Sequence, residues 1–420
     1  MPLTVSKKSA FEIFNKASLL AAEKNGADLY LSAPGFPASG KSYLTLEPDK
    51  EYLVTEQTTR DDLTNFAFAD DKPTFGYLTY NYGKLINGLK LKNSTSFPLG
   101  HLKKYRIVIE YDPESQSVDF NSTEAGNLWY DLTEKIALAD KPENRIELSD
   151  ISVSVSREEY IEKVRRTINY IREGYIYQLN LSIKYDVHLI DSGAYAVFAQ
   201  LWQNYPAPFY AYLKSDKYQI LSTSPERFLA VKDGRVLSQP IKGTLAFSQY
   251  YPEMKKILTD SPKESAELSM IIDMVRNDIS RNCRVRSVEV SRHKSVFTVD
   301  ELLQMYSDIK GQLAEKATVI DLLIDAFPGA SITGCPKLKA MELIDEIEPH
   351  ERDVYCGSFF IIKDHKNMES SVAIRTGYYN IRDNRLSFFA GSGIVADSKP
   401  EAEYSETMAK AEKFINLGRL

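Results

Sequence analysis

The spacing of apolar positions changes character along the chain. Between about 28 and 130, short segments alternate apolar and polar residues and are bounded by Pro, Gly, Asp or Asn, a pattern typical of strands. In residues 156–174 apolar side chains recur at spacings of three and four and Gly174 follows, which predicts an amphipathic helix. Further helices are predicted near the N-terminus, where Phe11 and Phe14 share a face, and at about 262–279, 316–326, 336–347 and 400–417.

The order of these elements predicts a fold class and a division of the chain. Strands and helices occur in mixed runs without strict alternation, which favours an α+β fold, here a layered two-sheet sandwich flanked by helices. The polar segment 137–150 contains Pro142 and marks a candidate boundary. We therefore expect a strand-rich N-terminal subdomain over 1–145 and a second subdomain over 150–420.

Composition narrows the function classes. Of 420 residues, 43% are hydrophobic and 26% are charged, as in a globular protein with a sizeable core. The net charge of −6 argues against a nucleic-acid partner, and the three cysteines form no CxxC pair that would suggest zinc. There is no run of 18 apolar residues, so we expect no membrane span and, without a secretory signal, a cytoplasmic setting.

A segment near the N-terminus matches the phosphate-binding pattern GxxxxGKS. It runs from Gly35 to Ser42, but Pro37 removes one amide from the loop. The residues that follow alternate like a strand, whereas a phosphate loop leads into a helix. We expect an ordinary turn here, and a nucleotide-binding switch is the less favoured alternative.

Two predicted helix starts share one pattern, which combines a serine cap, a proline in the first turn and two glutamates three positions apart. The residues are Ser261, Pro262, Glu264 and Glu267 in one helix, and Ser398, Pro400, Glu403 and Glu406 in the other. Glutamates three apart share a helix face, and two such pairs form an all-oxygen cage suited to Mg²⁺. The alternative is that these acids only offset the helix dipoles in solvent.

Two further side chains suggest proton transfer and nucleophilic chemistry. Lys242 lies in the turn Pro240-Ile-Lys-Gly, and a lysine in an apolar pocket gives up its proton more readily and becomes a nucleophile. Glu226 follows a predicted strand and would be a general acid if it were desolvated. The alternatives are an exposed turn lysine and a carboxylate paired with Arg227.

The C-terminal half adds candidate anion-binding groups. The turn Gly391-Ser392-Gly393 follows a predicted strand and offers backbone amides, although such turns are often only structural. Arg375 lies in a predicted strand and is suited to pair with a carboxylate. Thr333 is a candidate helix cap. The five histidines are scattered, which argues against Ser-His-Asp or histidine–metal chemistry.

These pieces occur in an order that resembles the chorismate-utilising enzymes, which include anthranilate synthase component I, aminodeoxychorismate synthase component I, isochorismate synthase and salicylate synthase. Eight blocks between about 155 and 415 carry the resemblance: GYIYQLNLS, TSPERF, PIKGT, KESAELSMIIDMVRND, FPGASITGCPKLKAMELIDEIEP, YCGSFF, AIRT and GSGIVADSKPEAEYSET. The resemblance implies the anthranilate-synthase-like, chorismate-binding fold.

Differences within the family favour one branch. Anthranilate synthases usually carry alanine where this chain has Lys242, whereas aminodeoxychorismate synthases carry lysine there. Isochorismate and salicylate synthases usually have a lysine base at Gln178, which argues against addition of water. The resemblance therefore implies conversion of chorismate and ammonia to 4-amino-4-deoxychorismate, on the route to 4-aminobenzoate and folate. The alternative is the anthranilate synthase branch, and a third class is a catalytically inactive scaffold.

The resemblance also implies roles for individual residues. Lys242 would form a covalent adduct with the ring, and Glu226 would protonate the departing hydroxyl. Glu267 and Glu406 would bind Mg²⁺ directly, and Glu264 and Glu403 would support it through water. The positions that match substrate-binding ones are Thr244, Tyr355, Arg375, Gly391, Ser392, Gly393 and Lys410.

Ammonia would come from a separate subunit. The chain contains no glutamine amidotransferase pattern, so we expect a glutaminase partner and activity with free ammonia. One position departs from the family, because Gln304 stands where a histidine is usual. No LLES-like element is found in the N-terminal strands, and feedback control by tryptophan is therefore not expected.

Overall fold

The computed structural model describes residues 7–92, 97–136, 146–190, 192–247, 251–299 and 302–417. Within them lie eleven α-helices: α1 (Lys7–Lys24), α2 (Arg60–Ala67), α3 (Tyr80–Ile86), α4 (Thr123–Ile136), α5 (Arg157–Arg172), α6 (Ala194–Asn204), α7 (Met254–Thr259), α8 (Pro262–Ser280), α9 (Val319–Ala326), α10 (Lys337–Ile347) and α11 (Pro400–Ile415). None of the helices in these ranges combines the length and apolar character needed to cross a bilayer.

The described ranges also contain twenty strands. They are β1 (Asp28–Leu31), β2 (Ser42–Val54), β3 (Thr74–Leu78), β4 (Gly100–Asp112), β5 (Ser117–Phe120), β6 (Glu147–Leu148), β7 (Ser152–Val153), β8 (Gln178–Ile190), β9 (Phe209–Lys214), β10 (Tyr218–Ser224), β11 (Arg227–Lys232), β12 (Arg235–Gln239), β13 (Ile241–Ala246), β14 (Glu289–Val299), β15 (Leu302–Gln312), β16 (Gly334–Cys335), β17 (Ser358–Asp364), β18 (Asn367–Val372), β19 (Thr376–Asn380) and β20 (Arg385–Ile394).

The long strands form a continuous series of antiparallel pairs. The series runs from β14 through β15, β12, β11, β18, β17, β3, β4, β2, β1, β9, β10, β19 and β20 to β8, and β13 also pairs with β15. Helices pack against this sheet around two clusters of buried apolar residues. The predicted α+β fold is confirmed.

Two links between strands matter for the site. Strands β10 and β11 are adjacent in the chain but lie far apart in the series, and the same is true of β18 and β19. At these two links the chain crosses from the arm of the sheet that holds β11 and β18 to the arm that holds β10 and β19, or back, once through Pro225 and Glu226 and once through residues 373–375. Side chains from both arms meet at these crossings.

Local signals predicted some helix ends correctly and others wrongly. Ser261 caps α8, because its hydroxyl accepts the amide of Glu264. The caps predicted at Ser398 and Thr333 are wrong. The hydroxyl of Ser398 accepts the amide of Val395, and α11 begins after Lys399 without a side-chain cap. The hydroxyl of Thr333 donates to the carbonyl of Gly329, and α10 follows Pro336.

The N-terminal third contains more helix than its strand-like pattern indicated. Helices α2, α3 and α4 lie within the part predicted as strands, and α3 begins directly after β3, where Thr79 accepts the amide of Tyr82. The division at 1–145 and 150–420 stays a prediction. Its linker, 137–145, lies outside the described residues.

The segment with the phosphate-loop pattern connects two antiparallel strands. It joins β1 to β2, which pair with each other, so a strand follows it and not a helix. The amine of Lys41 pairs with the carboxylate of Asp112 at 2.9 Å and with Glu110. The turn thus has neither the helix N-terminus nor the free lysine that phosphate binding requires.

Candidate functional site

A cavity of about 900 Å³, measured with its open mouth, lies at the strand crossings. Its walls come from the β10–β11 link, β13, the link after β18, β20 and the helices α8 and α11. Ten of the thirteen residues predicted for the site line it, namely Glu226, Lys242, Glu264, Glu267, Tyr355, Arg375, Gly391, Gly393, Glu406 and Lys410. We call it the front cavity.

Lys242 reaches into the front cavity from β13. A Cβ placed on Gly393 of β20 would lie 3.3 Å from its amine and 2.8 Å from Nε2 of Gln178. Only a residue without a side chain leaves room for both groups at this point. The amine therefore points across the cavity from one arm of the sheet towards the other.

Glu226 is buried on the same wall and is 4% exposed. The hydroxyl of Ser331 donates a hydrogen bond of 2.6 Å to its Oε1. Burial raises the pKa of Glu226 from 4.5 to about 7, although the Ser331 hydrogen bond and the charge of Lys242 both lower it. A carboxyl group that retains its proton near neutral pH is suited to general acid catalysis.

The candidate anion-binding groups lie opposite. Arg375 is 7% exposed and adopts a positive φ of 51° at the second crossing. Tyr355 stacks on Phe389 at 5.2 Å between ring centroids and 7° between planes. The amine of Lys410 donates to the carbonyl of Gly391 at 3.1 Å. Two positive groups, one phenol and one glycine backbone thus line the front cavity.

Two of the predicted residues point elsewhere or are only partly described. Ser392 lies between the two glycines on β20, so its side chain projects to the other face, where its hydroxyl is 3.1 Å from that of Tyr160. The backbone of Thr244 pairs with Gln304, but its side chain lies outside the described part of the structure. Their roles towards a substrate stay predictions.

Three of the four predicted metal-binding glutamates line the front cavity, and the fourth does not. Glu264, Glu267 and Glu406 line the front cavity, and a Cβ on Gly243 would lie only 3.0 Å from Oε2 of Glu264. Glu403 is buried away from the wall and accepts a hydrogen bond of 2.7 Å from Ser398. Oε1 of Glu406 pairs with the amine of Lys410 at 2.7 Å.

All three lining groups are carboxylates, and carboxylate oxygens are the ligands that a hard cation such as Mg²⁺ prefers. The structure does not assemble them into a cage. Over the described ranges, no three His, Cys, Asp or Glu side chains are grouped closely enough to share one ion. The magnesium site stays a prediction.

Sequence reasoning missed several residues of the front cavity. Ser331 and Asn180 lie inside the blocks FPGASITG and GYIYQLNLS but carry no pattern of their own. Gln304, which the sequence already marks as a departure from the family, also lines the cavity. Gln304 and Gln178 are buried, and in the described structure their Oε1 atoms have no hydrogen-bond partner. The only sequence signal of Ser331 and Asn180 is an uncharged polar residue in an apolar segment, which is too common to be specific.

A buried ion pair supports the wall from behind. Arg352 is 1% exposed, and its guanidinium donates to Oε1 of Glu348 at 2.7 Å. It also donates to the backbone carbonyls of Asn180 at 2.6 Å and Ile332 at 3.0 Å, both of which line the front cavity. These hydrogen bonds hold two separate wall segments at a fixed distance.

Comparisons with known proteins agree with this geometry. The family described as chorismate binding enzyme matches residues 36–416. Aminodeoxychorismate synthase component 1 of Escherichia coli (strain K12) is 41% identical over 271 residues, which cover 64% of this chain and 59% of that protein. Anthranilate synthase component 1 of Geobacillus stearothermophilus is 33% identical over 279 residues, covering 66% and 54%. The aligned part thus spans less than two thirds of these relatives.

A solved structure shows the same fold. The crystal structure of anthranilate synthase component I from Streptococcus pneumoniae TIGR4 superposes with a TM-score of 0.75 and 24% sequence identity. The superposition covers 91% of this chain and 93% of that one. At this identity the match is evidence for the fold alone.

Proposed function

The chain belongs to the chorismate binding enzyme family, and we propose that it acts as an aminodeoxychorismate synthase component I, which converts chorismate and ammonia to 4-amino-4-deoxychorismate. One observation carries this proposal. The amine of Lys242 and a carboxyl group with a pKa of about 7, Glu226, line the same cavity. A nucleophile and an acid are the two groups that replacement of a ring hydroxyl requires.

The first step forms a covalent adduct. The neutral amine of Lys242 attacks the ring, the double bond shifts, and the bond from carbon to the hydroxyl oxygen breaks. Glu226 gives its proton to that oxygen, which leaves as water. The adduct nitrogen then loses a proton, which returns to Glu226.

The second step reverses the shift. Ammonia attacks the carbon that carried the hydroxyl, the double bond moves back, and the lysine nitrogen leaves as an amine with a proton from Glu226. The new ring ammonium then returns one proton to Glu226. One ammonia is consumed and one water is released, so the atoms balance. Two displacements with shift explain why the new amine occupies the carbon that lost the hydroxyl.

Substrate binding follows from the charges on the walls. Chorismate carries two carboxylates, and Arg375 and Lys410 supply positive charge in the front cavity. A magnesium ion would be held by Glu267 and Glu406, with Glu264 and Glu403 supporting it. When bound it would offset the charge of the ring carboxylate. The side chains of this chain position the ring between Lys242 and Glu226.

The ammonia would be supplied by a separate glutaminase subunit. The name component 1, which the E. coli relative carries, supports this arrangement. The synthase reaction itself requires only ammonia, so the purified chain should work with ammonium salts.

The decisive experiment identifies the product. Purified protein with chorismate, Mg²⁺ and a high ammonium concentration is expected to yield 4-amino-4-deoxychorismate by mass spectrometry. Fluorescent anthranilate in its place would support the second candidate, favoured by the 33% identical Geobacillus relative. Absence of both products would refute the proposal.

A further inference from the structure

The amine of Lys242 and the carboxamide of Gln178 meet at one point in the wall of the front cavity. A Cβ on Gly393 would lie 3.3 Å from Nζ of Lys242 and 2.8 Å from Nε2 of Gln178, so both groups crowd the same backbone position. Gln178 stands two residues before Asn180 on β8, and Asn180 lines the front cavity and pairs with Gly393 across the sheet. Side chains two apart on a strand share a face, so Gln178 is directed towards this cavity.

Gln178 carries a polar atom that the fold leaves unsatisfied. The residue is 1% exposed, and in the described structure its Oε1 accepts no hydrogen bond. A buried oxygen without a donor costs free energy, and buried polar groups in folded proteins are nearly always paired. We therefore expect this oxygen to have a partner in a functional state of the site.

The amine of Lys242 also lacks a partner. Over the residues that the structure describes, its Nζ makes neither a hydrogen bond nor an ion pair. Glu226 is close enough for the charge of Lys242 to lower its pKa, but its Oε1 is bound by Ser331. An unpaired donor and an unpaired acceptor are therefore carried by the two side chains that meet at Gly393.

We propose that Gln178 is a positioning residue for the nucleophile, whose Oε1 accepts one N–H of the neutral Lys242 amine and so leaves the nitrogen lone pair directed at the ring. The inference rests on the proposed lysine adduct and adds the group that orients its nitrogen. A half-turn of the carboxamide about its last bond exchanges Nε2 and Oε1. This rotation brings the unpaired oxygen to the side of the amine.

Orientation matters because a lysine amine is carried on a flexible aliphatic stem. The neutral amine has N–H donors and one lone pair, and only the lone pair reacts. When one N–H is held, the direction of the lone pair is restricted as well. A reacting atom misplaced by about 1 Å costs up to about 10²-fold in rate. The missing side chain at Gly393 is what allows the carboxamide and the amine to approach each other.

The test replaces the carboxamide with an apolar group of similar size. Gln178→Met removes Oε1 and fills the same space, whereas Gln178→Asn keeps the oxygen but withdraws it by one carbon–carbon bond. Gln200→Met is the matched control, because Gln200 on α6 also has a buried Oε1 without a described partner and is not among the residues that line the front cavity.

Four measurements are made on each variant. Intact-protein mass spectrometry follows the adduct after mixing with chorismate and Mg²⁺ without ammonium, as a mass gain of one chorismate less one water. Initial rates with ammonium give kcat and KM for amination. Equilibrium dialysis gives the Kd for chorismate, and thermal unfolding gives Tm.

Gln178→Met should form the adduct about 10- to 100-fold more slowly than wild type, with kcat lowered in parallel and the Kd for chorismate unchanged. Its Tm should equal or exceed that of wild type, because the change removes an unsatisfied buried oxygen. A residue that only supports the fold would give a lower Tm and an unchanged rate per folded molecule. Gln178→Asn should have an intermediate rate, and it decides the question if Gln178→Met does not fold. Gln200→Met should form the adduct at the wild-type rate.

Two results would overturn the inference while the proposed function stands. One is adduct formation at the wild-type rate in folded Gln178→Met. The other is loss of chorismate binding in that variant, because Gln178 would then contact the substrate and not the amine. If the wild-type protein fails to aminate chorismate at high ammonium, the proposed function and this inference fail together.

Discussion

Glu226 offers the sharpest test of the chemistry, because its protonation is coupled to its burial. Its pKa is raised from 4.5 to about 7 in the folded protein, chiefly by burial. Between these two values the folded state holds a proton that the unfolded state has released. The free energy of unfolding therefore falls as the pH rises through this interval.

The size of this effect follows from the two pKa values. A difference of one pKa unit corresponds to about 1.4 kcal/mol. Ionising Glu226 in the folded protein instead of the unfolded one therefore costs about 3 kcal/mol in full. Most of this cost, about 2–3 kcal/mol, develops between about pH 5 and about pH 8. Glu226→Gln removes the ionisation. Relative to wild type, the variant should thus gain about 2–3 kcal/mol of stability between these two pH values.

The measurement is urea unfolding of both proteins at the two pH values. Glu401→Gln is the matched control, because Glu401 is on the exposed side of α11 with 58% of its side chain accessible. Stability curves of Glu226→Gln and wild type that stay parallel with pH would show that Glu226 is ionised normally in the fold.

Catalysis supplies the second half of the test. If the protonated form of Glu226 is the acid, kcat/KM for chorismate should fall tenfold per pH unit above about pH 7, with neutral ammonia held constant. Glu226→Gln should lose about 10²–10⁴-fold in rate and lose this descending limb. If Glu226→Gln keeps both the wild-type rate and the fall of kcat/KM at high pH, Glu226 is not the general acid.

Three further outcomes test the neighbours of this acid. Lys242→Ala should abolish or greatly slow amination yet keep chorismate binding in equilibrium dialysis, and an undiminished rate would show that no lysine adduct forms. Ser331→Ala removes a hydrogen bond that lowers the pKa of Glu226, so the descending limb of the pH profile should move to higher pH, and a shift to lower pH contradicts this reasoning. Glu267→Gln should weaken the dependence of the rate on Mg²⁺ in a metal titration, and an unchanged dependence would move the ligand elsewhere.

Helix starts could be predicted only where a short-range contact decides them. Ser261 caps α8 because the amide it accepts is three residues away. Ser398 lies two residues before its proline instead of one, and its hydroxyl accepts the amide of Val395 and donates to Glu403 on α11. Both partners lie close in sequence, yet which one a serine engages depends on how the preceding strand enters the helix.

The members of the site could be named from the ordered blocks, but their arrangement could not. Spacing alone placed Glu264 beside Glu267 and Glu403 beside Glu406. It did not predict that Glu403 turns away to Ser398 while the others face the front cavity. Residue spacing determines which side chains share a helix face. The direction in which each glutamate of α11 points depends on how α11 packs against β20.

The chemistry of Glu226 depends on this global arrangement. Its own segment, Ser-Pro-Glu-Arg, is also compatible with a surface carboxylate paired to Arg227, and in the structure Arg227 instead binds Glu369. Burial of Glu226 results from the crossing between β10 and β11, and its hydrogen bond comes from Ser331, 105 residues later. A single link between two strands therefore buries the acid and raises its pKa, so altering that link should lower the pKa of Glu226.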